Sequence, residues 1–82
     1  MLILYALPSC PYCAKVRNYL SENNIEFKEL DARDSGIQEE LIKRGGKRSV
    51  PYLVDEDKNI EMYESDDIVK YLEENYINVP KN

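Results

Sequence analysis

The stretch MLILYAL, Met1–Leu7, carries no charge and is rich in β-favouring residues. Such a run suits a central strand covered on both faces. Pro8 and Ser9 end it, and from Pro11 a helical pattern takes over, with Cys13, Val16 and Leu20 three and four residues apart. A doubly covered strand feeding straight into an amphipathic helix points to a layered α/β fold.

The rest of the chain extends that pattern. Pro11 suits the first helical position, where its missing N–H costs nothing, so Cys10 falls at or beside the N-cap. The helix should close at Asn23 or Asn24, which tolerate the left-handed conformation. IEFKEL, Ile25–Leu30, reads as a second strand, and Asp31–Gly36 as a turn. Ile37–Arg44 reads as a second helix, with Ile37, Leu41 and Ile42 inward and Gly45 or Gly46 closing it. Val50–Asp55 and Ile60–Tyr63 read as two strands around the turn DEDKN. Ser65 is the expected N-cap of a last helix, with Asp66 and Asp67 in its first turn, Ile68, Val69 and Leu72 inward, and an end near Asn75. No repeat, linker or low-complexity stretch interrupts this order.

Strands one and two, joined by a helix, should be parallel with a right-handed crossover. The short turn makes the last two an antiparallel hairpin. The expectation is a single domain over residues 1–82: a mixed four-stranded sheet with three helices on its two faces, in the order βαβαββα.

Charge and composition narrow the chemistry. The net charge is −5, with no histidine. An acidic chain has no broad attraction to nucleic acid. Without imidazole there is no Ser–His or Cys–His pair and no histidine metal ligand. The apolar run is too short to span a bilayer and lacks the flanks of a secretory signal. The expected location is the cytoplasm, where thiols are kept reduced.

Both cysteines lie in Cys10-Pro11-Tyr12-Cys13. A Cys-X-X-Cys pair at a strand-to-helix junction is a specific signal for redox chemistry. Cys10 at the helix start meets unpaired backbone N–H groups and the positive end of the macrodipole, both of which favour thiolate. Cys13, almost one turn on and nearer the core, is placed to attack a mixed disulfide formed on Cys10. Lys15 and Arg17 add positive charge if they turn towards the pair. A permanent staple would close almost no loop and stabilise little. A zinc site needs four ligands, which two cysteines supply only with carboxylates or a second chain.

In these residues the chain resembles the glutaredoxins, dithiol Cys-Pro-Tyr-Cys type, of the thioredoxin fold. The resemblance covers nearly the whole chain. It rests on Cys10–Cys13 after the first strand, Ser49-Val50-Pro51 before the third, and Ser65-Asp66-Asp67 at the last helix start. It implies reduction of protein disulfides and of glutathione mixed disulfides. It further implies reduced glutathione as co-substrate, no tightly bound cofactor and a monomeric chain. Pro11 and Tyr12 would flank the reacting sulfur. Pro51 would follow a cis peptide bond, and Val50 would pair its backbone with the cysteinyl part of glutathione. The N–H groups of Ser65 and Asp66 would hold the γ-glutamyl carboxylate, with Asp67 taking the ammonium. Arg48, and after it Lys47, would meet the glycyl carboxylate.

Two features depart from that family. Many glutaredoxins have lysine where Leu7 stands and Gly-Gly where Tyr63-Glu64 stands. The segment from Val50 to Tyr76 is similar to the amino-terminal domain of glutathione S-transferases, in which a Glu-Ser pair holds the γ-glutamyl group. Glu64 would then bond the ammonium. The helical second domain of those transferases is absent from these 82 residues, so conjugation is not expected. Tyr5, Tyr19, Tyr63 and Tyr71 are expected in or at the edge of the core, with Tyr12 and Tyr52 beside the site. Two other readings stand beside the main one: an oxidoreductase recharged by another thiol or a reductase, and a metal- or cluster-bridged dimer.

Overall fold

The computed structural model describes residues 1–77. Strand β1 (Leu2–Ala6) leads to helix α1 (Pro11–Glu22), then β2 (Phe27–Asp31), α2 (Ser35–Gly45), β3 (Tyr52–Asp55), β4 (Ile60–Met62) and α3 (Ser65–Leu72). A π-helical turn, Glu73–Ile77, continues α3. The sheet order is β2-β1-β3-β4. β1 runs parallel to β2 and antiparallel to β3, and β3 pairs antiparallel with β4. This is the thioredoxin-like arrangement expected from the element order.

The period of two along β1 divides the core. Leu2, Leu4 and Ala6 join Leu53 under α1 (Cys13, Val16, Leu20) and α3 (Ile68, Leu72). Tyr5 turns to the other face, with Tyr52 and Val54 beneath Leu41 of α2 and against the half-buried Ile3, Leu30 and Ile37. Every residue of β3 is buried, as a central strand demands. No described helix is long and apolar enough to cross a membrane.

The ends of the elements follow local chemistry. Asn24 takes φ 55° beyond α1, and the Ile25 N–H bonds the Leu20 carbonyl at 2.9 Å. Asn23 is the C-cap of α1 and Asn24 the left-handed residue after it, as the sequence suggested; Ile25 is tied back to the helix end, so β2 starts at Phe27 and not at Ile25. Asp34 caps α2 two residues earlier than the apolar pattern suggested. Its Oδ1 accepts from the Gly36 and Ile37 N–H groups at 2.8 and 3.2 Å. Gly46 ends α2 at φ 86°, where other residues are strained.

Four expectations are corrected. Ile42 is 43% exposed. Ile37 and Leu41 set the inner stripe one turn apart, and the residue after Leu41 rotates off it. Tyr52 is buried rather than beside the site, because the β3 alternation turns it to the α2 face of the sheet, and its hydroxyl donates to Glu61 of β4. The N-cap of α3 is Glu64, with no side-chain capping bond, and not Ser65. Ser65 is the first helical residue and only 8% exposed, since its spacing to Ile68 and Leu72 puts it on the inward face. The regular α-helix ends at Leu72, and Asn75 lies in the π-helical turn.

Candidate active site

Cys10 is the N-cap of α1, in extended conformation at φ −81° and ψ 120°. Its Sγ accepts from the Cys13 backbone N–H at 3.4 Å. The side chain thus takes up a donor that the first helical turn leaves unpaired. Both cysteines are free thiols, Cys10 half-buried and Cys13 buried. The Cys13 Sγ in turn accepts from the Leu7 N–H at 3.5 Å.

The environments push the two thiols apart. Burial raises Cys10. Opposing it are the Cys13 N–H, the Cys13 thiol, the Tyr12 N–H and the Arg17 guanidinium, and together they bring it below the ordinary thiol value. Burial pushes Cys13 up to about 11, helped by the bond to and charge of Cys10. The two sulfurs are thus made unequal: the Cys10 thiolate is the better stabilised, and the Cys13 proton is the harder to remove. Alkylation of Cys10 is expected to titrate with a midpoint below ~8.5, while Cys13 stays protected in the same range. A Cys10 midpoint at or above that value removes the role of the helix start.

The sequence left open whether Arg17 turns towards the cysteine pair, and it does. It follows Cys13 by four positions, so helical spacing puts the two on one face. Its guanidinium forks onto Glu29 of β2 at 2.8 and 2.7 Å, and Nη2 also donates to the Leu7 carbonyl at 3.4 Å. Arg17 therefore holds the Leu7–Cys10 turn and brings positive charge towards both sulfurs. Lys15 turns away from the thiols and pairs with Asp66 at the start of α3.

Beside this turn lies an open cavity of about 240 Å³. Tyr12, Ser49, Val50 and Pro51 line one part, and Tyr63, Glu64, Ser65 and Asp66 the other. Tyr12 is 65% exposed. The Val50–Pro51 peptide bond is cis. Val50 and Cys10 both pack against the core cluster under α1 and α3. The fold thus brings together six residues anticipated from sequence: Tyr12, Val50, Pro51, Glu64, Ser65 and Asp66. Cys10 and Pro11 sit next to it through Tyr12, while Arg48 and Asp67 are exposed and outside its lining. Ser49 and Tyr63 enter it unanticipated, since neither lies on a periodic stripe. Among the described residues, no three His, Cys, Asp or Glu side chains form a group fit for a metal ion.

Residues 4–80 match the family model described as glutathione S-transferase, N-terminal domain. The chain is also 32% identical over 60 residues to an uncharacterized glutaredoxin-like 8.6 kDa protein of the rubredoxin operon of Clostridium pasteurianum, covering 73% of this chain and 80% of that one. The chain belongs to the glutaredoxin family, on a glutathione S-transferase N-terminal-type domain. Glutaredoxin 1 of Rickettsia felis is 36% identical over 55 residues, covering 63% of this chain and 54% of that protein. The chain thus spans about half the length of that curated relative. The thioredoxin-like protein BC3987 shares the fold at a TM-score of 0.76 and 23% identity, covering 90% of this chain and 97% of that one.

Within the glutaredoxin family, the two departures acquire local roles. Leu7 contributes backbone: its N–H meets Cys13 and its carbonyl meets Arg17. Glu64 takes φ 67°, a conformation that favours glycine and strains a residue with Cβ. It thereby directs a carboxylate-bearing residue to the cavity at the head of α3.

Proposed function

We propose that this glutaredoxin-family chain is a cytoplasmic thiol–disulfide oxidoreductase that uses glutathione as its reductant. Its substrates are glutathionylated and disulfide-bearing proteins. The observation that carries this reading is the juxtaposition of an N-cap cysteine with a cavity bounded by Val50-Pro51 and by the start of α3.

In the monothiol step, the Cys10 thiolate attacks the glutathione sulfur of a mixed disulfide. The old S–S bond breaks, the protein thiolate leaves, and glutathione is carried on Cys10. A second glutathione thiolate then attacks that sulfur, releasing oxidised glutathione and regenerating Cys10. In the dithiol step, the Cys10 thiolate attacks one sulfur of a protein disulfide, that S–S bond breaks and the other sulfur leaves as a thiolate; Cys13 then attacks the Cys10 sulfur and expels the second substrate sulfur. The Cys13 proton passes to the departing thiolate, leaving a Cys10–Cys13 disulfide that two glutathiones reduce.

The cavity suits the ligand by chemistry. The Val50 backbone offers an N–H and a carbonyl to the cysteinyl residue in a short β-like pairing. The Ser65 and Asp66 N–H groups at the helix start favour the γ-glutamyl carboxylate. Glu64 offers an acceptor to its ammonium; Asp67 and Arg48, exposed outside the lining, are proposed to reach the ammonium and the glycyl carboxylate from its rim.

The test is turnover of a glutathionylated peptide with glutathione as the sole reductant, against the same assay with NADPH and thioredoxin reductase. Glutathione-driven turnover is expected to dominate. Turnover with the reductase alone overturns the reading in favour of a thioredoxin-like cycle.

A further inference from the structure

Tyr63 makes contacts that the redox chemistry leaves unused. Its hydroxyl donates to the Lys47 carbonyl at 2.8 Å and accepts from the Lys47 N–H at 3.1 Å. A phenol has one proton to give and lone pairs to receive, and here both serve the backbone of one residue. Lys47 returns over the ring, with its ammonium 5.0 Å from the centroid. The ring is backed by Tyr52, centroid to centroid at 4.4 Å.

α2 is shaped to admit this phenol. A Cβ on Gly45 would lie 2.0 Å from the Tyr63 hydroxyl and 2.6 Å from the ring carbon that carries it. Only glycine at the last position of α2 leaves that space. The next residue, Gly46, turns the chain at φ 86°, and Lys47 follows into the clasp. Among the described residues, no other side-chain hydrogen bond reaches the backbone of residues 46–49.

The clasp joins two stretches of chain that line the cavity. Lys47 lies two residues before Ser49 and three before Val50, while Tyr63 directly precedes Glu64 and Ser65. The geometry points to Tyr63 as a positioning residue that ties the Lys47–Val50 loop to the head of α3 and so sets the cavity's affinity for glutathione; this rests on the glutathione-linked reading above. Without the hydroxyl, the exposed Lys47 backbone bonds water instead and the loop loses its fixed distance from α3. The ligand must then order the loop on binding, at a cost in affinity.

The test uses Cys13→Ser protein, in which Cys10 displaces one glutathione thiolate from oxidised glutathione and keeps the other half as a mixed disulfide. The same exchange with hydroxyethyl disulfide gives a partner without γ-glutamyl or glycyl groups. The Cys13→Ser protein should favour the glutathione adduct. Adding Tyr63→Phe should lower the glutathione exchange constant by about tenfold, the scale of lost backbone hydrogen bonds. The hydroxyethyl constant and the Cys10 pKa should not move. Amide exchange should accelerate at Lys47 and not across the sheet. Gly45→Ala, which wedges the phenol out from the opposite side, should reproduce the loss if the phenylalanine variant folds poorly.

An unchanged glutathione preference in both variants overturns the positioning role and leaves the glutathione-linked reading standing. So does an equal fall for both disulfides, which would mark a general loss of structure. If Cys13→Ser protein shows no preference for glutathione at all, the glutathione-linked reading itself fails and takes the role of Tyr63 with it.

Discussion

Cys10→Ser is expected to lower disulfide reduction to the uncatalysed rate, a loss on the order of a thousandfold or more, because a serine hydroxyl at neutral pH is not a nucleophile without an adjacent base. No histidine exists in this chain to supply one. Cys13→Ser is expected to behave differently. It should keep activity on glutathione mixed disulfides within about threefold of the parent, since that cycle needs only one sulfur. It should lose reduction of protein disulfides, for which Cys13 must resolve the adduct on Cys10. The asymmetry follows from the two environments. The Cys10 sulfur accepts a helix-start N–H and is pulled below the ordinary thiol value, while the buried Cys13 is pushed up to about 11. Steady-state rates on a glutathionylated peptide and on a protein disulfide separate these outcomes. Equal losses in both variants on both substrates would remove the assigned order of attack.

The second large effect lies at the opposite end of the sheet. Asp55 is 0% exposed at the end of β3, across from Leu2. The Tyr71 and Tyr76 hydroxyls each donate to its Oδ2 at 2.6 Å. Its Oδ1 accepts from the Asp57 and Lys58 N–H groups at 3.2 and 3.4 Å. One carboxylate thus fastens the end of α3, the π-helical turn and the β3–β4 turn together. Burial alone would raise its pKa, but the two phenols and two backbone N–H groups outweigh burial and hold it below the usual carboxylate value.

Asp55→Asn keeps the size and turns half of the acceptor into a donor facing donors. The expected cost is about 2–4 kcal/mol, the scale for breaking hydrogen bonds to a buried charge. For a domain of this size that lowers Tm by roughly 10–20 °C. The pH dependence has a definite sign. A carboxylate with a depressed folded pKa contributes stability that is present above the unfolded value of ~3.9 and is lost as pH falls through the folded value. The parent should therefore lose stability on acidification through that window, and Asp55→Asn should show a flatter curve there. Urea unfolding across that range reads both effects. Equal midpoints at neutral pH would show that the four bonds to Asp55 contribute nothing.

These two predictions differ in how far the sequence foreshadows them. The place of Cys10 at the helix start is legible from its neighbours: an apolar run, a break at Pro8-Ser9, and Pro11 opening a helical period. Asp55 is not. In sequence it is one acid among Asp55-Glu56-Asp57 in a turn. Its phenol partners lie 16 and 21 residues away, beyond the reach of any local period. Ser65 shows the same limit at the site. A serine before two aspartates reads as an N-cap. The inward phase set by Ile68 and Leu72 takes it one position further, as the first residue inside α3. Ile42 and Tyr52 were misplaced for a related reason: apolar character says that a residue is inclined to be buried, but only the rotation of its helix or strand decides which side it presents.

The sequence by itself determined the element order, the parallel start and antiparallel finish of the sheet, and the position of Cys10 at the head of α1. These depend on local preferences: apolar periods, Pro at a helix start, Gly and Asn at helix ends. Only the tertiary structure decided that Arg17 reaches the turn of the cysteines, that Tyr63 clasps Lys47 through the gap left by Gly45, and that Asp55 is a buried hub. Each of those depends on surfaces of separate elements meeting at hydrogen-bond distance, and that meeting is set by how α1, α2 and α3 pack on the two faces of one twisted sheet.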